Sequence, residues 1–145
     1  MRTMPPIDVV CDASVVLKWF RTEDEEEVEA SRALVDLHVA HRVALSVLDL
    51  TGYEIANALV RGLRVSADDA AAVIAALDDI CPRITTSLAD LVAAAALAER
   101  HGLTVYDAAY AAVAIARRAQ LATMDRALLE AGLGRRPSEI VRDVT

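Results

Sequence analysis

The apolar positions of the chain fall into two patterns. Short, nearly unbroken apolar runs read as strands: "IDVVC" at 7–11, "RVALSV" at 42–47, "PRITTS" at 82–87 and "QLATM" at 120–124. Between them the spacing turns helical. "SVVLKWF" begins a helix at Ser14, and "TEDEEEVEASRALVDLHVAH" at 22–41 makes a second, with acids in its first turns where the backbone dipole favours them. "LDLTGYEIANALVRGL" at 48–63 is amphipathic, with Leu48, Ile55 and Leu59 on one face and Glu54, Asn57 and Arg61 on the other. "SADDAAAVIAALDDI" at 66–80 opens on the cap pair Ser66 and Asp69, and Ser87 with Asp90 caps the next helix, which Gly102 ends. The last predicted helix runs from Asp125 to Ala131, and Gly132 and Gly134 break it before a tail.

One predicted helix stands apart. In "GLTVYDAAYAAVAIARR" at 102–118, residues 108–116 are Ala, Val, Ile and Tyr without interruption. A helix apolar all round is buried, yet Asp107 sits in its first turn, welcome to the dipole but costly to take out of water. Strands alternating with helices predict an α/β fold, with a central, mostly parallel sheet flanked by helices. The expected organisation is one domain over 1–145 with a short N-terminal tail at 1–6, without repeats or linkers.

In such folds ligands bind beyond the carboxyl ends of the strands. Asp12 follows "IDVVC" directly and Asp125 follows "LATM" directly, so both are expected at one edge of the sheet, with Asp107 pointing there too. Each acid alone is explained as a helix cap or first-turn residue. Together they favour a site. Glu54 is explained as part of a solvated face with Asn57 and Arg61, and the acids of 23–29 and Asp78–Asp79 as solvated runs.

Composition narrows the chemistry. The 145 residues carry 15 basic and 22 acidic side chains, a net charge of −7, which argues against a protein that coats nucleic acid through a basic surface. Aromatics at 3% argue against a base-stacking platform. Cys11 and Cys81 stand alone, as buried small hydrophobes in a reducing cytosol would. Asp8, Asp12 and Lys18 interrupt the first apolar run, so no signal peptide is expected, and the run 91–98 is too short to cross a membrane.

Four converging carboxylates cannot remain bare. At about 4 Å each pair repels by roughly 4 kcal/mol at an effective dielectric of 20. Protons or cations must intervene. With oxygen ligands and no His or Cys at ligand spacing, the fitting ions are Mg²⁺ or Mn²⁺. His38 and His41 lack a third ligand and are expected at a helix end, where positive charge suits the dipole. An acid-held cation turns a bound water into hydroxide and stabilises a leaving oxygen at phosphorus. Spacing does not distinguish diester from monoester substrates. A haloacid-dehalogenase-type phosphatase needs a second Asp two residues after the first, where Ser14 stands; an integrin-type site wants Ser at Val16.

Four stretches in order, "VVCDASVVLKWF", "YEIANALVRG", "LTVYDAAYAAVAIA" and "LATMDRAL", resemble the PIN-domain family, and specifically VapC-type toxins of type II toxin–antitoxin pairs. The resemblance implies a metal-dependent endoribonuclease of the cytoplasm, with Asp12, Glu54, Asp107 and Asp125 as its acidic quartet. It makes Asp12 and Asp107 the direct Mg²⁺ or Mn²⁺ ligands, completed by Glu54 and Asp125. Ser14 and Thr123 match hydroxyls that orient carboxylates or water, and Asn57 is placed to support Glu54. Lys18, Arg61, Arg64, Arg117, Arg118 and Arg126 are candidate phosphate contacts, although solvated helix faces explain most of them equally well. The implied partners are structured RNA, a cognate VapB-type antitoxin and a second copy of the chain, with no membrane. The competing readings are a metal-dependent α/β phosphatase and a non-catalytic PIN-like binding module.

Overall fold

Four strands, β1 (Ile7–Cys11), β2 (Val43–Leu48), β3 (Arg83–Ile84) and β4 (Gln120–Ala122), form a sheet in the order β3-β2-β1-β4. Every pairing is parallel, with Ile7 opposite Val43, Cys11 opposite Ala122 and Val47 opposite Arg83. The structure is a computed structural model and describes residues 4–21 and 26–145. Among the described residues, eight helices surround the sheet: α1 (Ala13–Trp19), α2 (Val28–Val39), α3 (Thr51–Asn57), α4 (Ala67–Ile80), α5 (Leu88–His101), α6 (Val105–Ala116), α7 (Arg126–Glu130) and α8 (Pro137–Val144). A π-helical turn, Ala58–Gly62, extends α3.

Alternation along the strands divides the interior into two layers. Val9, Cys11, Leu45 and Val47 face one layer with Val15, Trp19, Leu34, Ile55 and Leu77, from α1 to α4. Val10, Leu48, Ile84 and Leu121 face the other, built from α5, α6 and α7. The expected parallel sheet flanked by helices is therefore the observed one. The apolar run of α6 is buried from Ala108 to Ala114, and Ile115 and Ala116 emerge at its end. Its small side chains allow close packing against Ala94 and Ala98 of α5.

Local details depart from the sequence expectations. The 48–63 helix begins only at Thr51, because Leu48 completes β2 and residues 49–50 turn. Asp49 ties this turn to the end of β3, accepting from the Thr86 backbone N–H at 3.2 Å and from its hydroxyl at 3.1 Å. The "PRITTS" strand shrinks to two residues. The 22–41 helix is observed as Val28–Val39; residues 22–25 of that expectation lie outside the described residues. His38 stands in the last turn of α2, at the helix end expected of it. Its Nδ1 accepts the Leu45 N–H at 3.0 Å and stitches α2 to β2.

The expected tail contains a helix. Pro137 at the first position of α8 presets the backbone; Pro137, Ile140 and Val144 form a buried stripe, from which Ile140 and Val144 join the first layer. Arg42 donates to the Val144 carbonyl, anchoring the helix end. Cys11 and Cys81 are free and buried; burial pushes both thiols up, Cys81 to about 12. Among the described residues, no helix is long and apolar enough to cross a membrane.

Candidate active site

Asp12 leaves the carboxyl end of β1 and caps α1, and Asp125 follows β4 and caps α7. Because β1 and β4 are parallel neighbours, both carboxylates emerge at one edge, as their positions after strands predict. One Asp12 oxygen accepts the Val15 N–H at 3.3 Å, and one Asp125 oxygen accepts the Leu128 N–H at 3.1 Å. The cap explanation is thus literally true of both acids, and each keeps a second oxygen beyond the cap bond.

Asp12 is the best-held group of the site. It is only 5% exposed. Ser14 donates its hydroxyl to Oδ1 and Thr123 donates to Oδ2. Both hydroxyls are themselves oriented by backbone donors. The Met124 N–H donates to Ser14 Oγ at 2.9 Å, and the Asp125 N–H donates to Thr123 Oγ1 at 2.9 Å. A hydroxyl that receives a backbone hydrogen has its own proton free to give, and here it is given to the carboxylate. The strand end of β4 thereby fixes the side chain at the end of β1.

Glu54, on α3, is half-buried and accepts from the Tyr110 hydroxyl at 2.6 Å. Asp107, in the first turn of α6, is half-buried too, with its N–H donated to the Thr104 cap at 3.1 Å. The four acids sense one another in sequence. Burial pushes Asp12 up to about 6 against the pull of its Ser14, Thr123 and Val15 hydrogen bonds, and the Glu54 charge adds to the rise. Burial and then the Asp107 charge raise Glu54, opposed by the Tyr110 hydroxyl. Burial and then the Asp125 charge raise Asp107, opposed by Thr104.

Ser14 and Thr123 sit directly on Asp12, and the acids act on one another pairwise: the Glu54 charge on Asp12, the Asp107 charge on Glu54 and the Asp125 charge on Asp107. Asn57 is exposed and makes no described hydrogen bond to Glu54, whose partner is Tyr110. Arg126 pairs with Glu130 at 3.0 Å, and Arg61, Arg64, Arg117 and Arg118 are exposed; Lys18 lies half-buried in α1. Tyr110 and Thr51 escape sequence reasoning. Tyr110 reads as one more member of an apolar run, although its place one turn after Asp107 is the available signal.

The donor set suits a hard divalent cation, being oxygen throughout. Among the described residues no three acids are close enough to form a ready-made metal cage. A carboxyl raised by burial and by neighbouring acids is a group whose charged form a cation would stabilise.

The PIN domain family matches residues 9–133. The chain belongs to the PIN-domain family. Among curated relatives, ribonuclease VapC3 of Pyrobaculum aerophilum is 36% identical over 127 residues, covering 84% of this chain and 92% of the relative. The crystal structure of PAE2754 from the same organism superposes with a TM-score of 0.69 at 25% identity, covering 95% of both chains. A structure of VapBC2 from Rickettsia felis bound to a promoter DNA fragment shares the fold, with a TM-score of 0.65 at 12% identity over 86% of this chain and 92% of that one. The PIN-type, VapC-like resemblance of the sequence is upheld.

Proposed function

We propose that the chain is a metal-dependent endoribonuclease, the toxin of a toxin–antitoxin pair. The observation that carries this reading is the buried Asp12, pinned by two hydroxyls at a sheet edge where Glu54, Asp107 and Asp125 converge electrostatically. Its PIN-domain membership and its VapC3 relative support a nuclease over a phosphatase of another α/β family. A bound Mg²⁺ or Mn²⁺ would supply an activated water and charge relief at phosphorus. Asp12 and Asp107 are the proposed direct ligands, and Glu54 and Asp125 the groups that complete the shell. Ser14 and Thr123 hold Asp12 in one rotamer, so that its outward lone pairs keep a fixed direction. The Thr104 cap fixes the first turn of α6, which carries Asp107. Lys18, Arg61 and Arg126 are proposed phosphate contacts around this edge.

The proposed partners follow from the same reading: structured RNA, a VapB-type antitoxin and a second copy of the chain, in the cytoplasm, with residues 1–145 working as one unit. Exposed Tyr53, Leu88, Leu91, Val105 and Tyr106 give the molecule an apolar surface. Leu88, Leu91, Val105 and Tyr106 border a cavity of about 320 Å³. An exposed apolar surface of this kind supports a protein partner.

The test uses purified, antitoxin-free chain with RNA and Mg²⁺, Mn²⁺ or EDTA, beside Asp12→Asn. Cleavage at internal positions that needs metal and vanishes in the variant is the expected result. Release of phosphate from a small monoester with RNA left whole would overturn it in favour of a phosphatase. Turnover of neither substrate would leave a binding module.

A further inference from the structure

Glu54 is reached by a hydrogen-bond chain that starts on the backbone of β2. The Leu48 N–H donates to Thr51 Oγ1 at 3.0 Å, Thr51 Oγ1 lies 2.7 Å from the Tyr110 hydroxyl, and that hydroxyl donates to Glu54 Oε1 at 2.6 Å. Thr51 is fully buried and Tyr110 is 1% exposed. The two ends determine the direction of every proton. A backbone N–H only donates and an ionised carboxylate only accepts. Thr51, having accepted from Leu48, gives its hydrogen to the Tyr110 oxygen, and Tyr110 gives its own to Glu54. Reversing the middle bond would leave a phenol oxygen 2.6 Å from a carboxylate with no hydrogen between them.

From this geometry we infer that Tyr110 is a positioning residue for the metal site, acting with Thr51 to hold Glu54 as an oriented, ionised acceptor. Chains aligned this way polarise each link, so the last donor is stronger than an isolated phenol. The relay also joins the two layers across the end of β2. Glu54 rides on α3, and Tyr110 stands on α6 one turn beyond Asp107, so the relay ties the helix that carries Glu54 to the one that carries Asp107. Ser14 and Thr123 treat Asp12 in the same manner, each taking a backbone N–H and passing its proton to a carboxylate oxygen. The inference rests on the metal-dependent reading above and names the residues that tune the metal site.

The experiment compares the full chain with Tyr110→Phe, Thr51→Ser and Thr51→Val. It reads Mn²⁺ binding by electron paramagnetic resonance, folding by thermal melting, and the Glu54 carboxyl carbon by NMR at one fixed pH. Loss of an orienting partner costs roughly 10- to 100-fold in metal affinity, which is the expected result for Tyr110→Phe. Thr51→Ser keeps the relay and is expected to bind as the parent does, whereas Thr51→Val is expected to weaken binding in the same direction as Tyr110→Phe. Equal Mn²⁺ affinity in a folded Tyr110→Phe would overturn the inference. If Tyr110→Phe does not fold, equal affinity in Thr51→Val and Thr51→Ser does so instead. If the parent chain takes up no Mn²⁺, the metal-dependent reading fails, and the Glu54 resonance still decides the relay: displacement in Tyr110→Phe supports it, and an unmoved signal refutes it.

Discussion

The inner and outer halves of the acid cluster are built differently. Asp12 and Glu54 take hydrogen bonds from hydroxyls, and Thr123 and Tyr110 among these come from distant elements, β4's end and α6. Asp107 and Asp125 are half-buried, and their described hydrogen bonds are local to the starts of α6 and α7. The first pair is set by the packing of the whole fold, the second by single helix caps. Under the proposed function, the first pair would give the cation a fixed wall and the second would leave an accessible wall for a polymeric phosphate.

Removing the charge of Asp12 is expected to have the largest effect, and in two opposite directions. Its carboxyl stands at about 6 in the folded state against an ordinary 3.8, which costs the metal-free fold about 3 kcal/mol at neutral pH. The sign follows from proton uptake. The folded carboxyl binds its proton more tightly than the unfolded one, so stability is greatest below the ordinary value, falls as pH rises through the window up to about 6, and stays reduced above it. Asp12→Asn imitates the neutral form. Without metal it is expected to melt roughly 5–10 °C above the parent at pH 7.5 and level with it near pH 3.5. RNA cleavage should fall at least about a hundredfold, the upper end of what losing a supporting partner alone costs. Equal melting temperatures at pH 7.5 would dissolve the contrast between the two halves.

The outer pair should behave otherwise. Asp107→Asn and Asp125→Asn are expected to impair Mn²⁺ binding and cleavage while shifting metal-free stability by less than about 0.5 kcal/mol, as partly exposed substitutions do. Asn is as good a helix cap as Asp, so α7 loses little. Denaturant melts of the two variants beside Asp12→Asn check this. A gain as large as that of Asp12→Asn would mean that all four acids share one burial regime.

The same contrast explains what the sequence disclosed. Asp12 and Asp125 were legible because each follows a strand, and parallel neighbours send their ends to one edge. Asp107 was legible as a lone acid opening an apolar helix. Glu54 looked like surface, since its amphipathic helix accounts for it; only the resemblance of four ordered stretches moved it to the site. The supports were hidden because they join residues far apart in sequence, such as Tyr110 to Glu54 and Thr123 to Asp12. Thr51 lay inside a helix that sequence began too early. The helix α8 was missed because few apolar residues mark it, although Pro137, Ile140 and Val144 keep helical spacing.

Gly134 marks an unforeseen dependence of the fixed wall on the chain's last third. A Cβ there would collide with the Thr123 methyl group, while meeting the Leu121 carbonyl at an ordinary contact of 3.4 Å. The neighbouring backbone is constrained as well, with the Thr123 N–H donated to the Arg135 carbonyl at 3.0 Å and the Arg135 N–H to the Leu121 carbonyl at 2.8 Å. Gly134→Ala should displace Thr123 and cost about 1–3 kcal/mol, the usual range for overpacking. Cleavage should drop with it, although residue 134 is none of the acids. Parent-like stability and cleavage would show that the β4 end yields without disturbing Asp12.

The smallest expected effect separates the two hydroxyls on Asp12. Thr123 is fully buried, while Ser14 is half-buried, so water can take over the bonds of Ser14 but not those of Thr123. Thr123→Val leaves the Asp125 N–H and one Asp12 oxygen without their partner in a dry place. Ser14→Ala leaves the Met124 N–H and the other oxygen within reach of solvent. Mn²⁺ affinity is therefore expected to fall about a hundredfold for Thr123→Val and about tenfold for Ser14→Ala, the two ends of the range for supporting residues. Titrating both variants with Mn²⁺ gives the order directly. A larger loss in Ser14→Ala would reverse it, and would place the rigid wall of the site at the start of α1 instead of the end of β4.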